Sequence, residues 1–181
     1  MTLNEFLIDK YETRFSEWIR IMKWANDHNY SFSNPGSNSI YFNGTEGTDQ
    51  HPVHSILWYD AMKWANARSE KEGLTPCYYT DANKQTVYRQ GNIDILTSYT
   101  DFAANGYRLP TRDEFVVAAR GGLVGKKYPW GNTIDLTYTN INQSNRFTEK
   151  AGALHYTILP VGRLLPNGYG IHDIYGNLAE L

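Results

Sequence analysis

Apolar positions change their period several times along the chain, and the changes mark its elements. The stretch FLIDKYET, residues 6–13, alternates and predicts an opening strand, with Thr13 placed to cap the next segment. In RFSEWIRIMKWANDHN, Phe15, Trp18, Ile19, Met22 and Ala25 recur at intervals of three and four, which predicts a helix with these residues on its buried face and a stop near Asn29. Residues 30–50 are dense in Asn, Gly and Ser and read as loop, with one short strand at Ile40–Phe42. HPVHSI restores an apolar, β-branched stretch. WYDAMKWANARSEKEG then predicts a second amphipathic helix, with Trp58, Ala61, Met62 and Ala65 on one stripe and Gly73 as its stop.

Further on, short strands are expected around Tyr78 and Val87. RLPTRDEFVVAARGG is the most legible helix: Thr111 caps it, Glu114 completes a capping box, Pro110 precedes it and Gly121-Gly122 ends it. The last sixty residues carry turn chemistry in YPWGN, PNGYG and DIYGN, with a short apolar stretch at Tyr156–Val161. MKWAN occurs at 22–26 and again at 62–66, but the flanks differ and a third copy is lacking, so the pair means two similar helices and not a repeat array. The fold class expected is α+β, with a few short helices, many short antiparallel strands, and long loops that need internal bonds or ions to stay ordered.

Composition narrows the function classes. The 181 residues suit one domain, 41% are hydrophobic and 20% charged, and both figures belong to a folded chain and not to a disordered one. A formal charge of −2 without any basic run argues against nucleic acid as partner, and no window approaches the roughly 20 apolar residues of a membrane span. Location is left open: secreted or cell-surface if a signal peptide has been removed, cytoplasmic otherwise. Fourteen Tyr, seven Phe and five Trp suit a loop-rich core or an exposed stacking surface. Cys77 is the one cysteine, which excludes an intrachain disulfide and a cysteine-only metal site.

Few motifs carry chemistry. Asp173 and Glu180, with Gly176 and Asn177 between them, can wrap a hard cation through two carboxylates and intervening carbonyls, although such spacing alone more often marks an ordinary turn followed by a solvated Glu. His51 and His54 flank Pro52 in an expected strand, where positions i and i+3 point to opposite faces, and no further ligand pair is visible for zinc. GGLVGKK, 121–127, follows a helix and lacks Ser or Thr after the lysine, so it is a terminator and turn and not a phosphate loop. Asn43-Gly44-Thr45 is a glycosylation sequon that has meaning only in a eukaryotic secretory route.

In this order, FLIDKYET, HPVHSILWYDAMKWANARSEKEGL, NGYRLPTRDEFVVAARGG, YPWGN, PVGRLLPNGYGIHDIYGN and NLAEL resemble the sulfatase-modifying-factor family, which includes the formylglycine-generating enzymes. The resemblance implies a C-type-lectin-like fold over a single domain, 1–181, that is incomplete at its C-terminal end. It also implies a structural calcium held by Asp173, the carbonyls of Gly176 and Leu178, and Glu180. A second family calcium site would involve Asn140 and Ile141, but the Asp expected near Ala153 is lacking. The two copper-binding catalytic cysteines of the formylglycine-generating members belong to a later part of the family pattern, and Cys77 matches neither. The function expected is therefore non-catalytic binding of a protein or glycan, as in the variable proteins of diversity-generating retroelements, with the missing C-terminal segment or a second chain as a further partner. The alternative is the N-terminal portion of a copper-dependent oxidase that converts sulfatase cysteines to formylglycine. An unfinished sheet would leave edges open to association.

Overall fold

The sequence periodicities resolve into three α-helices and one 3₁₀ turn in a computed structural model that describes residues 3–39, 46–140 and 158–181. Helix α1 is Phe15–Asn26, α2 is Trp58–Lys71, and α3 is Arg112–Arg120; Thr97–Tyr99 forms the 3₁₀ turn. The chain divides into two compact units. One comprises Met1–Phe15, Asn38–Val53 and Pro110–Glu180, and the other Ser16–Ser37 and His54–Leu109, with Leu181.

All three helices were legible, and α3 in most detail. Thr111 accepts the Glu114 N–H, the Glu114 carboxylate reaches back to the Thr111 N–H, and Gly121 closes the helix in the left-handed conformation at φ 56°. The faces of α1 and α2 differ from expectation. Helix α1 buries Trp18, Ile21 and Ala25, while Ile19 is 40% exposed. It begins at Phe15 directly after Arg14, so Thr13 lies one residue ahead of the cap position and its carbonyl accepts the Val53 N–H instead. In α2, Trp58 is 49% exposed, and the buried set includes Asp60, Lys63, Asn66 and Ser69 beside the expected Ala61, Met62 and Ala65.

Those polar residues are buried because loops need them. Asp60 accepts the N–H groups of Ser33 and Asn34 at 3.0 and 2.9 Å, and Lys63, 3.0 Å from that carboxylate, donates to the Ser31 carbonyl. Asn66 donates to the carbonyls of Tyr78 and Tyr88 and accepts from the N–H groups of Cys77 and Tyr78. The Ser69 hydroxyl accepts the Tyr107 N–H at 2.7 Å, and Gly106 lies so close that a Cβ there would come within 2.6 Å of that oxygen. Around these bonds Met62, Ala65, Cys77, Tyr78 and Tyr88 form an apolar cluster, and Trp18 stacks on Trp64 at 5.4 Å.

Between segments, pairing among the described residues is limited to isolated bridges: Arg14 with Pro52, Ser37 with His54, Tyr78 with Thr100, Tyr79 with Val87, and Tyr128 with Gly131. The strands expected around Tyr78 and Val87 thus appear as single bridges, and the opening FLIDKYET run has no strand. The strand expected at Ile40–Phe42 lies outside the described residues, as do Tyr156 and Thr157 of the apolar stretch Tyr156–Val161; its residues 158–161 carry no strand.

Replacing Asn66 by Ala leaves the buried Cys77 and Tyr78 N–H groups without their acceptor, and at ~1–3 kcal/mol for each orphaned group the variant is expected to lose about 3 kcal/mol in urea unfolding. A loss below ~0.5 kcal/mol would contradict this role for Asn66.

Candidate functional site

Turns near the end of the first unit, around residues 173–177, gather a connected set of polar groups. Asp173 is buried and sits at φ 61°, a conformation that short polar side chains tolerate. One of its carboxylate oxygens accepts the Gly162 N–H, and the other accepts the Leu164 N–H at 3.2 Å. Gly176 takes φ 117° and leaves room for the Asn140 carbonyl, which a Cβ would approach to 2.7 Å. Asn177, at φ 66°, is a four-way junction. Its backbone N–H donates to the Asn140 carbonyl at 2.8 Å, and its side-chain oxygen accepts from the Leu159 N–H and the Asn140 amide. Its amide donates to the Leu159 carbonyl and to Glu12 at 2.6 Å.

Glu12 was missed by spacing arguments, since it lies 165 residues from Asn177. Its one signal was membership of the KYET run. The residue is half-buried, yet its Oε1 is shut away from solvent without a hydrogen-bond partner. Loss of water pushes its pKa up to about 8; the Asn177 amide and, more weakly, the Leu178 N–H oppose this, while the negative fields of Glu180 and Asp173 add to it. Glu180 is exposed as a whole residue. Desolvation, and after it the charge of Asp173, raises its pKa to about 7. Leu178 is half-buried.

The structure relates Asp173 and Glu180 electrostatically, and it adds Glu12 and Asn177. Among the described residues no three His, Cys, Asp or Glu side chains converge on one metal-sized point, so a cation here would depend on backbone oxygens as well. The orphaned Glu12 oxygen and two carboxyls that resist ionisation are what a hard cation relieves, and in that sense the donor set fits calcium. Asn140 is bound into the Asn177 junction, while Ile141 lies outside the described residues.

The other candidates resolve as structural. The His51 ring accepts the Thr48 N–H at 2.8 Å, and His54 bonds Ser55. Trp130 stacks with Tyr128 at 5.4 Å and Tyr138 at 5.1 Å, with Tyr175 edge-on, so these aromatic faces are met by the protein itself. The glycosylation sequon lies outside the described residues. Cys77 is wholly buried, its thiol donates to the Gly106 carbonyl at 3.4 Å, and burial raises its pKa.

The model of the sulfatase-modifying factor enzyme 1-like domain matches residues 1–181. The chain belongs to that family. It is 30% identical over 99% of its length to the chaperone protein LppX of Paenibacillus barcinonensis, and 42% identical over 98% to the formylglycine-generating enzyme of Thermomonospora curvata. It spans 62% and 59% of those relatives. Among solved structures it is similar to CarF, with a TM-score of 0.76 at 28% identity over 91% of this chain and 62% of that one. Variable protein 1 of Treponema denticola shares the fold, with a TM-score of 0.57 at 24% identity over 94% of this chain and 60% of that one. The family member described here therefore has the formylglycine-generating-enzyme-like, C-type-lectin-like fold.

Because the raised pKa values of Glu12 and Glu180 mean that the folded state holds their protons better than the unfolded one, stability in metal-free buffer should be greatest near the ordinary glutamate value of 4.5 and fall as pH rises towards about 8. Urea midpoints across that range test this, and Glu12→Gln should flatten the decline. A midpoint that rises over the same interval would refute the assignment.

Proposed function

We propose that the chain is a non-catalytic, protein-binding module on a formylglycine-generating-enzyme-like frame, whose final loop is ordered by calcium. The observation that carries the first part is Cys77. It is the chain's one thiol, and it is buried, hydrogen-bonded and held protonated, so these 181 residues present no thiolate to a substrate and no pair of thiolates to copper. The likeness to LppX across 99% of the chain, a protein that bears the name chaperone, supports a polypeptide as the ligand. A glycan is less well supported, since the Trp130 cluster uses its stacking faces internally.

Calcium would be held by the Asp173 carboxylate, the carbonyls of Gly176 and Leu178, and the Glu180 carboxylate, with Glu12 beside them. Oxygen donors of this kind suit a hard cation, and binding would displace the protons that Glu12 and Glu180 retain near neutrality. Asp173 also clasps the 162–164 turn, so it couples the ion to that loop.

A second reading, the N-terminal portion of a copper-dependent formylglycine-generating oxidase acting on sulfatase cysteines, is favoured by the 42% identity to the Thermomonospora curvata enzyme. Two assays separate the readings. The chain is expected to slow aggregation of a heat-unfolded client and to produce no aldehyde from a cysteine-containing sulfatase peptide with copper and oxygen. Aldehyde formation by the natural gene product, without any effect on the client, would favour the oxidase. For the ion, millimolar calcium should raise the melting temperature and release protons at pH 7, and Asp173→Ala should lose both effects; identical melting with and without calcium in the parent protein would remove it.

A further inference from the structure

At the C-terminal end of α3, an open groove of about 430 Å³ runs between the helix and the turn after it, and all of it belongs to the first unit. Its apolar lining is unusually exposed. Val116 and Val117 face outwards from α3, Leu123 and Tyr169 border them, and Val124 is 91% exposed at the tip of the turn. A β-branched pair at exposed helix positions gains nothing from helix propensity, so packing against something outside the helix is the stabilisation open to it. Contiguous exposed apolar side chains of this kind mark sites of association more often than they mark ordinary surface.

The groove is built in advance. The Asn167 amide donates to the Ala118 carbonyl at 2.7 Å and so caps the end of α3. Gly121 and Gly168 meet backbone to backbone, where a Cβ on Gly168 would stand 2.2 Å from the Gly121 carbonyl oxygen. The Tyr169 ring lies against Gly122 at 3.4 Å from the Cβ position, and Arg120 donates across the turn to the Lys126 carbonyl. These contacts fix the walls without covering the floor.

Charge selects the occupant. Arg120 and Lys126 line the groove and Lys127 comes next in the chain, no acidic residue lines it, and among the described residues none of these three cations pairs with a carboxylate. This local excess stands out in a chain of net charge −2. We propose that the groove binds an extended polypeptide segment of a partner protein that carries apolar side chains alternating with carboxylates. The apolar residues lie on Val116, Val117, Leu123, Val124 and Tyr169, and the carboxylates reach Arg120 and Lys126. A small molecule would find too open a site to be enclosed, and nucleic acid would meet three cations beside an apolar floor. The assignment rests on the protein-binding reading above and gives it a location.

The test uses the full 181-residue chain and a fluorescein-labelled twelve-residue peptide of alternating Leu and Glu, with the Leu/Lys peptide as control, read by anisotropy at low and high salt. The Leu/Glu peptide is expected to bind at least tenfold more tightly than the Leu/Lys peptide, and to weaken with salt. Lys126→Glu and Val124→Ser sit on exposed positions that do not threaten folding, and each should weaken binding at least fivefold with the melting temperature unchanged. Equal binding of the two peptides, or of parent and variants, overturns the groove. If the variants also protect a heat-unfolded client as well as the parent does, the protein-binding function stands and only its location is wrong. Dimerisation of the parent abolished by Val124→Ser would overturn the proposal in favour of a second copy. Lys126-dependent binding to phosphatidylserine vesicles without peptide binding would overturn it in favour of a membrane.

Discussion

Every backbone N–H and C=O removed from water needs a partner, and among the described residues loops meet that demand with little help from a sheet. Isolated bridges satisfy only a pair of residues at a time. Side chains therefore take the place of neighbouring strands. In the second unit Asp60, Asn66 and Ser69 project from one helix into three different loops, and each bonds main-chain groups there. In the first unit Asn167, Asp173 and Asn177 do the same from a turn-rich segment. The Asp60–Lys63 pair shows the cost of the device: both charges are buried, and they are tolerable because each also bonds backbone and because Lys63 lies over the rings of Phe32 and Tyr88.

This arrangement explains which parts of the fold could be read in advance. Helices announce themselves by period, and the Thr111 capping box is a local signal complete within four residues, so both were visible. The buried faces were harder to assign. Asp60, Lys63, Asn66 and Ser69 recur every three residues along α2, and such a polar stripe reads as the solvent face until the loops it serves are known. Trp58 and Ile19 were placed inside by the converse assumption, that large apolar residues on a stripe are always covered. Strand expectations around Tyr78 and Val87 located the right contacts but not their extent, because alternation cannot tell one bridge from a ladder.

The candidate site divides along similar lines. Asp173, Gly176 and Glu180 are neighbours in sequence, and their spacing was enough to nominate them. Glu12 was out of reach of any such argument, because what brings it in is the Asn177 amide and not a pattern. Cys77 illustrates the opposite case. Its presence in the sequence left a reactive thiol conceivable, and burial among Met62, Tyr78 and Tyr88 decides against one. Identity shared with formylglycine-generating enzymes thus extends over a frame whose own thiol is structural.

The Asn177 junction also bears on the order in which the chain can assemble. It joins residues 12, 140, 159 and 177, so closing it means bringing together segments from opposite extremes of the sequence, with a large loss of chain entropy. Apart from Leu181, the unit built on α1 and α2 draws on nothing beyond Leu109, and during synthesis its helices and their loop contacts can form while later residues are still emerging. The other unit must hold its early segments, including Glu12, in waiting until the turn at Gly176 has been made. Until that moment a glutamate destined for burial remains hydrated and charged. Its withdrawal from water waits on that closure, so proton concentration bears on the step that closes the junction.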